Sequence, residues 1–135
     1  MAYKTLFTTV TARADGEGQV SALDPAIALA RAWDAHLDVL ALGVDRTQIG
    51  YYYAGASAMI YQQTIEAAQA EAAAQAEAAR RRLAPEDIRW SLDEAVVQLG
   101  SLSPAIGQRA RFADLAVMPK PYGPGRGAEN EAATE

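Results

Sequence analysis

Apolar positions along this chain alternate between short dense runs and longer stretches at helical spacing. The first run, Lys4-Thr5-Leu6-Phe7-Thr8-Thr9-Val10, is rich in β-branched and aromatic residues and predicts a strand. Thr11 to Gly18 is polar and contains glycine, as a loop should. A helical pattern then runs to about Asp34. Asp24-Pro25 suits a cap followed by a first-turn proline, yet Val20, Leu23, Ile27 and Ala30 already share helical spacing. The helix either starts at that cap or starts earlier and bends at Pro25. His36 to Gly43 is almost continuously apolar, which predicts a central parallel strand covered on both faces.

Val44 to Ala58 is a longer connection holding Gly50, Tyr51-Tyr52-Tyr53 and Gly55. The longest predicted helix follows, from about Ala58 to Leu83. Ile65, Ala68, Ala72, Ala76, Ala79 and Leu83 recur three and four apart and form one stripe. Because the stripe is mostly alanine, this helix can approach a sheet closely while burying little area per residue. Glu77 and Arg81 are spaced to pair, and Arg80 to Arg82 suit the negative end of the helix dipole. Ile88, Trp90 and Leu92 alternate with Arg89, Ser91 and Asp93, which predicts a third strand with a wet face or an edge position. Ser103-Pro104 reads as a cap and a helix start, with that helix ending near Phe112. Asp114 to Met118 reads as a fourth strand buried on both faces, and Pro119 to Gly127 as a loop. From Ala128 the composition suggests the beginning of a last helix. The predicted order β-α-β-α-β-α-β implies a parallel sheet with right-handed crossovers and helices on both faces.

Composition narrows the function classes. The 135 residues suit one domain, and a net charge of -5 argues against a general nucleic-acid binder. With no cysteine, disulfides, thiolate metal sites and cysteine nucleophiles are excluded. The single histidine, His36, has no second histidine to build a metal site with, so a structural or surface role is expected and no metal. No apolar run has the length of a membrane span, and the N-terminus lacks a signal-peptide pattern; the expectation is a cytosolic protein with no membrane partner. Ser101 and Ser103 suit capping better than nucleophilic attack, no carboxylate pair is singled out, and no catalytic residue is assigned.

Three segments carry a resemblance. They are Tyr3-Lys4-Thr5-Leu6; Ala28-Leu29-Ala30 with Ala35-His36-Leu37-Asp38-Val39-Leu40; and Ala110-Arg111-Phe112-Ala113-Asp114-Leu115-Ala116-Val117-Met118. In order and spacing they resemble the universal stress protein family over nearly the whole chain. The resemblance implies an open Rossmann-like sheet of order 3-2-1-4-5, of which residues 1–135 would form a single incomplete domain. The fifth strand would be missing and 128–135 would begin a truncated last helix. It also implies the first half of a tandem protein, acting as a homodimer or by pairing with a second similar domain.

Many members of that family bind ATP through a Gly-x-x-Gly loop after the fourth strand and an aspartate after the first. Here the two glycines fall at Pro119 and Tyr122, and the aspartate falls among Thr9, Val10 and Thr11. Proline has no amide to donate, and tyrosine is bulky where backbone must approach phosphate. The resemblance therefore implies a non-catalytic stress-response module with a degenerate nucleotide site. The alternative is binding of ATP or another anionic ligand by a shifted loop, with Gly123, Gly125 and Gly127 as the cradle and Lys120 and Arg126 as cations. Thr9, Val10, Thr11 and Val44 would then line the base pocket. Tyr51, Tyr52, Tyr53 and Tyr61 form a second candidate surface, either a lid over a ligand or, as the favoured reading, an interface.

Overall fold

The computed structural model of the protein describes residues 4–11, 23–45 and 57–118. The elements in chain order are β1 (Thr5–Val10), α1 (Leu23–Trp33), β2 (His36–Asp45), α2 (Ser57–Leu83) and β3 (Arg89–Gln98). A short 3-10 turn (Leu99–Ser101), α3 (Leu102–Ala110) and β4 (Leu115–Ala116) follow. The four strands form one sheet in the order β3-β2-β1-β4, and every pairing is parallel. This is the expected α/β architecture and the expected strand order.

Register divides the side chains between two faces. Leu6, Val10, Leu37, Val39, Trp90 and Leu92 point to the face covered by α1 and α2. Phe7, Leu40, Leu42, Val44, Ala95 and Val97 point to the other face, where Leu102 and Ile106 of α3 pack. β2 lies between two strands and beneath helices on both sides, which explains its unbroken apolar run.

α2 behaves as its alanines dictate. Ala68, Ala72, Ala76, Ala79 and Leu83 are buried against the sheet. The helix comes so near β2 that a Cβ placed on Gly43 would lie 1.8 Å from the carbonyl oxygen of Ala68. Glycine is required here by close approach. α1 closes with Asp34 at a φ of 50°, a conformation aspartate tolerates, and the Ala35 N–H returns to the Ala30 carbonyl at 2.9 Å. Beyond it, Arg82 of α2 donates to Glu86 and to Asp24 of α1, and Arg31 of α1 also reaches Glu86. The predicted Glu77–Arg81 pair is present at 3.4 Å, exposed on the helix surface.

Three expectations are corrected. The fourth strand is not buried on both faces: β4 has two ladder residues, and among the described residues it pairs only with β1. Leu115 is half-buried and Ala116 is exposed, since among the described residues no strand lies beyond β4 to enclose it. Ser103 is not a cap but the second residue of α3. The cap position falls to Ser101, whose side chain makes no cap hydrogen bond. Burial of Leu102 starts the helix earlier, and Pro104 still lies in its first turn, where its missing N–H costs nothing. Finally, α3 stops at Ala110, before Phe112, which stands in solvent at 84% exposure.

Candidate functional site

The chain leaves β1 for β2 through α1 and returns from β3 to β4, on the opposite side of β1, through α3. Strand order therefore reverses at β1. Open α/β sheets bind ligands beyond the carboxyl ends of the strands at such a point. Thr8, Thr9, Val10 and Thr11 from β1 converge there with Val117 and Met118 after β4, and with Val44 and Asp45 of β2 nearby. Four of the buried polar residues, Thr8, Thr9, Thr11 and Asp45, belong to this end of the sheet.

The hydroxyls of Thr8 and Thr9 are turned inward. The Thr8 hydroxyl donates to the Val117 carbonyl at 2.6 Å, on the α1 face of the sheet. The Thr9 hydroxyl, on the α3 face, lies 3.9 Å from the Met118 sulfur, a weak acceptor. Thr9 and Thr11 are each 3% exposed. Asp45, equally buried, faces the α2 side of the sheet, as its register opposite Gln98 requires. At the other end of the sheet, where β1 and β4 begin, the Asp114 carboxylate accepts from the Lys4 and Thr5 amides at 2.8 and 3.0 Å, and the Asp114 amide donates to the Thr5 carbonyl. This fastening of β4 to β1 is not signalled by any local pattern.

Of the residues proposed to line a base pocket, Val10 is wholly enclosed in the core shared with α1, and Val44 packs with Phe7, Leu42 and Leu102. Thr9 and Thr11 stand at the mouth of β1 with little surface to offer. Pro119, Lys120, Gly123, Gly125, Arg126 and Gly127 lie outside the described residues, as do Tyr51, Tyr52 and Tyr53. Tyr61 lies within α2, and its side chain is likewise outside them.

Two features of the α3 face were not anticipated. His36 Nε2 is 2.9 Å from the Ser91 hydroxyl, which donates to Asp38 Oδ1 at 3.2 Å. Since that hydroxyl proton goes to the carboxylate, His36 must donate to Ser91, and the serine is not held for nucleophilic attack. A cavity of about 390 Å³ lies alongside, walled by β2, β3 and α3. It is separate from the crevice at the β1–β4 end. Arg109 at its rim pairs with Asp93 at 2.6 Å. Among the described residues no cluster of three His, Asp or Glu could hold a metal ion, and no helix is long and apolar enough to cross a membrane.

No protein-family model matches the sequence, and no curated protein does. The structure itself is similar to the universal stress protein UspA from Lactobacillus plantarum, with a TM-score of 0.63 over 99% of this chain and 92% of that one. The chain has the universal stress protein fold. At 19% identity the likeness is one of architecture. A second solved structure, a universal stress protein in complex with cAMP, matches 86% of this chain and 75% of its own at 19% identity, with a TM-score of 0.48. In this chain the reversal of strand order at β1 meets a crevice whose β1 wall is made of threonine and valine.

Proposed function

We propose that this chain is a non-catalytic universal stress-type module with a degenerate nucleotide position, acting by association with a second similar domain. One observation carries the reading. Where an adenine-facing carboxylate would follow β1, the chain places Thr9 and Thr11, both almost fully buried, with the Thr9 hydroxyl directed to Met118. A base arriving there meets no charged group from β1. Pro119 adds that the residue after Met118 has no amide for a phosphate. The association half of the reading is supported by β4, whose exposed Ala116 and single pairing partner among the described residues leave an edge of the kind proteins normally cover.

The second reading, in which the loop from Pro119 to Gly127 binds ATP or another anionic ligand, has Lys120 and Arg126 in its favour. Calorimetric titration of the purified chain with magnesium ATP separates the two. The expected trace shows no saturable heat. Micromolar binding that is lost in the Lys120→Ala, Arg126→Ala double variant would establish the second reading and end the first. Sedimentation in the same buffer is expected to give a mass above that of one chain, and a strictly monomeric mass at high concentration would end the association half.

A further inference from the structure

The cavity between β2, β3 and α3 has the parts of a small-molecule site. Its floor is apolar: Leu40 and Leu42 of β2 with Ala95 of β3. Its lip carries Phe112, an aromatic ring left at 84% exposure where most large apolar side chains among the described residues are enclosed. Its volume of about 390 Å³ lies toward the small end of the range that small-molecule pockets occupy.

Charge decides what kind of molecule fits. Arg109 reaches the cavity rim, where Nη1 donates to Asp93 at 2.6 Å and the two charges offset one another. Asp38 also lines the cavity. Ser91 donates to its Oδ1, while Oδ2 has no hydrogen-bond donor among the described residues. With Arg109 and Asp93 offsetting one another, the Asp38 carboxylate is the uncompensated charge at the cavity among the described residues, and it stands beside an apolar floor. A cation on a short apolar body answers both features, and the aromatic Phe112 stands at the lip within reach of either part.

We propose that this cavity binds a small primary ammonium compound with one aromatic or branched apolar body. The ammonium group sits on Asp38, and the body lies against Ala95 and Phe112, over the enclosed Leu40 and Leu42. The site is distinct from the nucleotide position, so its failure leaves the proposed module function untouched.

The test is an NMR titration of the full chain with phenethylamine and, separately, with phenylacetate, which has the same ring and the opposite charge. Phenethylamine is expected to give saturable shifts at the amides of Leu40, Leu42 and Ala95. Phenylacetate should bind at least about tenfold more weakly, the ratio expected when one charge-assisted hydrogen bond is lost. The Asp38→Asn variant keeps the side chain's shape and its acceptor for Ser91. It should lower phenethylamine affinity to the level of phenylacetate. Equal binding of the two probes overturns the proposal, as does an unaffected Asp38→Asn variant or the absence of any saturable shift. Shifts at the same amides that grow with protein concentration alone, and vanish in Phe112→Ala, would also overturn it, by showing that a second copy covers the cavity.

Discussion

Replacing Gly43 with alanine tests the close packing of α2 on β2. Adding a methyl group to an extended glycine would ordinarily stabilise, by about 0.5–1 kcal/mol, through the unfolded chain's lost freedom. Here the new carbon would stand 1.8 Å from the Ala68 oxygen, 2.8 Å from the Ala68 carbonyl carbon and 3.0 Å from the Ala72 amide nitrogen. All three are backbone atoms of α2, so no side-chain rotation relieves the clash. The helix must retreat by more than an ångström, and the contacts of Ala68, Ala72 and Ala76 with the sheet loosen together. Overpacking of this kind costs about 1–3 kcal/mol, and the rigidity of the opposing atoms puts Gly43→Ala at the upper end. Set against the intrinsic gain, a net loss of about 2 kcal/mol is expected, or roughly 8 °C in Tm for a chain of this size. Urea unfolding followed by far-ultraviolet circular dichroism measures it, with the slope unchanged and the midpoint lowered. Gly107→Ala is the matched control, since a carbon added in α3 meets nothing within 4 Å. It should stabilise by about 0.5–1 kcal/mol. A Gly43→Ala protein as stable as the wild type would refute the close helix–sheet contact.

Asp114→Ala removes the acceptor shared by the Lys4 and Thr5 amides and should cost about 1–2 kcal/mol at this exposed site, with Asp114→Asn recovering part of it. The same urea titration reads both variants, and no change in either would show that the two bonds contribute nothing. Glu86 is held below the usual carboxylate range, chiefly by the hydrogen bond from Arg82, with burial opposing and Arg31 assisting. A carboxyl lowered on folding contributes stability that is fully present above its unfolded value, near 4.5, and is lost as pH falls through its folded value. Glu86→Gln should therefore flatten the acid limb of a pH–stability profile below about pH 4.5 and lose stability at pH 7. An unchanged acid limb would show that the Arg82–Glu86–Arg31 cluster is not formed in solution.

Much of the architecture is written in periodicity. The unbroken apolar run of β2 places it in the centre, and the alanine stripe of α2 announces a helix set close to its sheet. The alternation around Trp90 places β3 at an edge. What the pattern misses has physical reasons. Leu115, Ala116 and Val117 are apolar whether or not a neighbouring strand encloses them, so local hydrophobicity overstates the burial of β4. β3 continues to Gln98 although Val96 and Val97 break the alternation, because β2 offers it a full ladder. The candidate site was legible only in part. The lack of a carboxylate after β1 can be read from Thr9 to Thr11, but the inward turn of the Thr9 hydroxyl depends on Met118, just past β4. The His36–Ser91–Asp38 chain joins residues more than fifty positions apart, and only the parallel register of β2 and β3 brings them together.

The bond between Asp114 and the start of β1 also sets an order in time. Thr5 pairs with His36, and His36 with Arg89, through crossovers of moderate length. By contrast, Asp114 meets Lys4 across 110 positions, and Val117 meets Thr8 across 109. Closing so long a loop costs entropy before any contact returns it. On the ribosome, β1, β2 and β3 can assemble with α1 and α2 while the partner of β1's other side has yet to be made. β4 is therefore expected to dock last and to detach first. Native-state hydrogen exchange would show this as earlier loss of protection at the Val117 amide, bonded to Phe7, than at the amides of β2.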